Sequence, residues 1–190
     1  MIETDLSFLK EGVIGMDQYL LSNEIYWPIE YHTPSGNLPS QRLTLGVLLL
    51  TQCKLNAYTL TSSQQAELNR LSAQLLSTRR KWFVAWTKKA LREFQARLNL
   101  WRDFLNDYRT DPSGNIDRYP YEVQRRVMLQ LLAGELDQIP PNEQELLSGL
   151  DKLLLAVFKP GEFIWEAVLE IEFPKSKFWY LYGSLKTSLV

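Results

Sequence analysis

The chain has a single histidine, His32, and a single cysteine, Cys53. A lone cysteine closes no internal disulfide, and one imidazole cannot supply the paired Glu-x-x-His of ferritin-like metal sites or a His-rich zinc site. The same scarcity removes most Ser-His and Cys-His nucleophile pairs. A Cys53–His32 dyad is the one left, and the apolar surroundings of Cys53 favour a small core residue instead. Long hydrophobic runs are missing too. Val47-Leu48-Leu49-Leu50 is one purely apolar run and Leu153 to Phe158 is the longest, at six residues, far short of the roughly 20 residues that cross a bilayer. Met1 to Ser22 lacks the basic start, apolar stretch and small-residue cleavage site of an export signal, so a cytoplasmic protein with no membrane contact is expected. Gly12 and Gly15 have neither the further glycine, nor the lysine, nor the preceding strand of a phosphate cradle. The net charge is -1, which gives no overall attraction to nucleic acid or to an anionic membrane.

What remains is a globular composition, 45% hydrophobic and 23% charged over 190 residues. A chain of this size buries roughly 70% of the surface its unfolded form exposes, without disulfide or metal staples. One helical domain over residues 1–190 is expected, interrupted by a loop at about 27–40 that holds Pro28, Pro34 and Pro39. Apolar residues at spacings of three and four mark a first helix from Asp5 to Ile25, weakened by Gly12 and Gly15. Leu43 to Leu55 reads as helix over strand on its leucine content. Thr61-Ser62-Ser63-Gln64 has the form of a capping box. From Ser62 to Tyr108 there is neither glycine nor proline. Leu68, Leu71, Leu75 and Trp82, then Leu91, Phe94, Leu98, Trp101, Leu105 and Tyr108, predict one long central helix through that segment. Asp111 to Asn115 carries turn chemistry, Pro120 suits the first turn of the next helix, and Pro140-Pro141 separates it from another that ends before Lys159-Pro160-Gly161. Residues 162–173 read as helix, although the alternation of Phe163, Trp165, Ala167, Leu169, Ile171 and Phe173 leaves room for a short strand. The fold class is all-α: a mainly antiparallel bundle around the long helix.

Two side-chain groupings carry chemistry. Glu162, Glu166 and Glu170 fall on one helical stripe, and Asp103 with Asp107 could face them as a divalent-cation site. That pattern would suit a carboxylate-metal hydrolase, but solvated helices carry glutamates at this interval routinely, and no catalytic residue or cofactor is expected. The second grouping is basic. From Arg79 to Arg109 there are nine basic residues against three acidic, whereas Met1 to Thr33 and Glu135 to Glu172 are acidic. Arg79, Arg80, Lys81, Lys88, Lys89 and Arg92 interleave with Trp82, Phe83 and Trp86, a combination that grips phosphates and stacks on bases. The plainer reading neutralises the basic helix against the acidic ones in the same molecule. The leading expectation is therefore a non-catalytic interaction or scaffold protein, pairing with a protein partner or a second copy. Its contact would include Trp82, Trp86 and Trp101, because a helix of 47 residues is on the order of 70 Å long and outruns one domain. A nucleic-acid-associated protein is the alternative, and the metal hydrolase comes third.

Overall fold

The computed structural model describes residues 2–31 and 42–187. Among the described residues helix makes up 74%, with one small sheet of two strands. The fold is thus mainly α-helical. The chain packs as two compact units, Met1–Glu93 and Phe94–Val190. His32 and most of the proline-rich loop lie outside the described residues, and with His32 goes the Cys53–His32 dyad.

In the first unit the expected helix from Asp5 to Ile25 is two, α1 (Ile2–Ile14) and α2 (Met16–Leu21), divided at Gly15. Glycine is the weakest ordinary residue for a helix interior, and the division falls there. Gly12 has a different role. A Cβ there would lie 2.8 Å from Leu48 Cδ1 and 3.1 Å from Leu43 Cδ1, so its bare backbone lets α1 sit close to α3 (Leu45–Ala57). α3 is helix, as its leucines favour. It begins at Thr44, whose hydroxyl accepts from Val47 N at 3.1 Å. The amide of Gly46 donates to both carboxylate oxygens of Glu93, at 3.1 and 3.0 Å, which places a buried anion at the positive end of the helix.

α4 (Ser62–Lys81) starts with the expected capping box: Gln64 N donates to the Thr61 hydroxyl at 3.3 Å and Thr61 N to Gln64 Oε1 at 3.0 Å. The long helix, however, does not continue to Tyr108. It stops at Trp82 (φ -110°, ψ 32°) and resumes as α5 (Phe83–Thr110). Hydrogen bonds flank the break, Trp82 N to Thr78 O at 2.9 Å and Trp86 N to Trp82 O at 2.8 Å, so it is a kink and not a loop. Two facts account for it without proline or glycine. The buried row Leu68, Leu71, Leu75 and the buried row Trp86, Ala90, Phe94, Leu98 are offset by roughly a quarter turn at about 100° per residue. Between Leu76 and Ala85 no residue is buried, so no packed apolar row runs through the break.

The second unit begins within α5. After α5 come α6 (Pro112–Asn115), opened by Asp111 Oδ1 accepting from Gly114 N at 3.0 Å, and α7 (Tyr119–Ala133), with Pro120 in its first turn. α8 (Pro141–Val157) follows the double proline. Residues 162–173 are not the expected helix. The chain leaves α8 directly into β1 (Phe158–Phe163), pairing antiparallel with β2 (Tyr182–Leu185), and Ala167–Ile171 forms a 3-10 turn. Between the strands lies α9 (Lys175–Phe178). Pro160 and Gly161, read in the sequence only as a helix stop, sit where a two-stranded ribbon tolerates them: at an edge, beside an irregularity between Pro160 and Phe163. Gly183 is required opposite them, since its φ is +152° and a Cβ would come 2.2 Å from Lys159 O. Rings fill this core, with Trp101, Phe104, Tyr119, Phe158 and Trp179 in successive contact. Tyr119 donates to Tyr180 O at 2.6 Å, and Arg126 beneath the Tyr180 ring meets Asp151 through two bonds of 2.8 Å.

Candidate binding site at the junction of α4 and α5

The kink at Trp82 creates a concavity. Leu20, Leu21, Ser22 and Asn23 from the end of α2 face Lys81 to Ala85, Lys88, Lys89 and Arg92, and enclose about 500 Å³ within the first unit. Three of the apolar residues are unusually open: Val84 at 79%, Leu21 at 62% and Phe83 at 48% exposure. Water-facing apolar side chains grouped beside a cavity mark contact surfaces far more often than isolated ones do.

The four cations of the lining differ in their commitments. Lys89 is buried, and its ammonium donates to Ser22 O at 2.9 Å, Ser22 Oγ at 3.3 Å and Glu24 O at 2.7 Å, over the face of Tyr19. A lysine so placed ties down the carbonyls at the end of α2. Loss of hydration pulls its pKa down to about 8, helped by repulsion from Arg92 and opposed by Glu24 and Glu93. Lys81 is exposed and pairs with Asp17 at 2.6 Å, and that hydrogen bond holds the Asp17 carboxyl below its usual value. Lys88 and Arg92 enter none of the ion pairs found among the described residues. The lining contains no His, Cys, Asp or Glu.

No family model matches the chain, and neither does any curated protein or solved structure.

Of the six basic residues singled out in the sequence, the structure brings Lys81, Lys88, Lys89 and Arg92 to the cavity; Arg79 and Arg80 lie on the last turn of α4 outside its lining. Trp82 lines the cavity, but Trp86 and Trp101 are 1% and 0% exposed. Those two rings fill the chain's own cores, so they are not the uncovered surface from which a paired helix was expected. The carboxylates do not converge. Asp103 and Asp107 lie exposed on α5 beside Arg102 and Arg118, at 3.5 and 3.6 Å. Glu162 is in β1, and Glu166 precedes a 3-10 turn, so the helical stripe is absent. Among the described residues no three His, Cys, Asp or Glu side chains group as a cation site. Sequence reasoning singled out Phe83 with Trp82 but missed Leu21, Asn23 and Val84. The usable signal was Val84, an apolar residue out of phase with both buried rows.

Proposed function

We propose that the chain is a non-catalytic binding protein that takes an anionic, partly apolar partner at the junction of α4 and α5. The observation that carries this reading is the meeting of Lys88 and Arg92, in no ion pair among the described residues, with the exposed Leu21, Phe83 and Val84 around one cavity of about 500 Å³. Cations and exposed apolar side chains in one lining suit a ligand with both characters. Reaction chemistry has little to work with, because the lining offers no carboxylate or imidazole and the Lys89 amine is already shared among three oxygens.

Nucleic acid fits less well. A backbone grip draws on several cations, each replacing counterions. Lys81 is committed to Asp17 and Lys89 to the end of α2, and this favours a compact anion over a polyanion. The test is titration with anilinonaphthalene sulfonate, an aromatic anion whose fluorescence rises in apolar surroundings. Saturable binding near one per chain that weakens about tenfold in Lys88→Glu/Arg92→Glu supports the reading. Equal binding to both proteins refutes it.

A further inference from the structure

Resting on that binding role, the lining goes further and selects a class of ligand. Two cations remain for a headgroup, Lys88 and Arg92, spaced four apart and so on one face of α5. Among the uncharged polar side chains of the lining, Ser22 is spent: its hydroxyl donates to Tyr19 O at 2.8 Å and accepts from Lys89 and from Glu24 N. That leaves Asn23 and the indole N–H of Trp82, too little to satisfy the donors and acceptors of a nucleobase or sugar, whose desolvation would go uncompensated. The rest of the lining is apolar: Leu20, Leu21, Phe83, Val84 and Ala85 with the face of the Trp82 ring. A folded protein partner would need about 800 Å² from each side. Three open apolar side chains do not supply that, whereas about 500 Å³ falls inside the range of small-ligand cavities.

We infer that the cavity receives one single-chain aliphatic carboxylate, its head between Lys88 and Arg92 and its tail along Leu21, Phe83 and Val84. The head gains two cations at little cost, since neither is held in an ion pair among the described residues. The tail covers side chains that water now faces. Lys89 forms the inner wall and fixes the end of α2 against α5.

The experiment is isothermal titration of the full chain with sodium dodecanoate below its micelle concentration, alongside acetate, the neutral amphiphile dodecyl maltoside and anilinonaphthalene sulfonate. Dodecanoate is expected to bind one per chain, acetate and the maltoside not at all. Lys88→Glu/Arg92→Glu and Val84→Glu, all at exposed or half-exposed positions, should each weaken dodecanoate about tenfold. Unchanged helical circular dichroism shows that the variants fold. Dodecanoate binding that ignores the charge reversal, or uptake of many molecules per chain, overturns the inference. If the sulfonate binds in a charge-dependent way and dodecanoate does not, the aliphatic ligand is wrong and the binding role stands; if neither binds, both fall.

Discussion

The ammonium of Lys89 donates to the carbonyl oxygen of Glu24 at 2.7 Å, joining α5 to the segment that follows α2 across 65 positions of sequence. A cation in the middle of the most basic stretch of the chain is thus turned inward, where it closes a helix end and builds one wall of the cavity. Lys89→Met keeps the length and apolar stem but leaves Ser22 O and Glu24 O without their donor. The expected loss of stability is about 1–3 kcal/mol, measured by urea unfolding.

The same residue gives a pH signature. Its pKa is about 8 in the fold against 10.5 for an ordinary lysine, so between those values the unfolded chain binds more protons than the folded one. Stability contributed by this group therefore rises with pH across that window, because folding no longer has to bury a charge. Wild type should gain on Lys89→Met between pH 8 and 10, as read by unfolding at fixed ionic strength. A flat difference would mean that Lys89 is not desolvated.

Gly183→Ala should damage the second unit sharply. The new methyl group meets the Lys159 carbonyl, and the backbone at φ +152° resists any side chain. A loss of about 2 kcal/mol or more, with weakened exchange protection at Lys186 N, is expected. Gly149→Ala is the control, since nothing lies within 4 Å of a Cβ there and the helix α8 should gain slightly.

Asp151→Ala leaves the buried Arg126 guanidinium without its two-pronged partner and should cost about 3–5 kcal/mol. The double change Arg126→Met/Asp151→Leu should cost less than the single one, because no charge is stranded. Additive losses would show the pair to be independent.

Much of this fold was legible. The capping box at Thr61, the double proline before α8 and Pro120 in α7 are local devices, and local devices can be read from neighbouring letters. The kink at Trp82 was half visible in the phase shift between the Leu75 and Trp86 rows, but with neither proline nor glycine there no local residue marks a break. The hairpin of Phe158 and Leu185 was hidden because its two strands lie far apart and one of them carries Pro160 and Gly161. The site was legible as charge and not as shape. Lys81 and Lys89 look identical to Lys88 in a sequence, and only tertiary contacts with Asp17, Ser22 and Glu24 tell the committed cations from the available one. Trp86 and Trp101 misled for a related reason: helical spacing does not say which side of a ring is covered.

The central claim, a binding cavity at the bend between α4 and α5, is tested most directly by methyl and amide NMR during titration with anilinonaphthalene sulfonate. Shifts should concentrate at Leu21, Asn23, Phe83, Val84 and Lys88 and saturate together, while Leu150 and Val127 in the second unit stay still. Shifts centred elsewhere, or a diffuse response that never saturates, would contradict it.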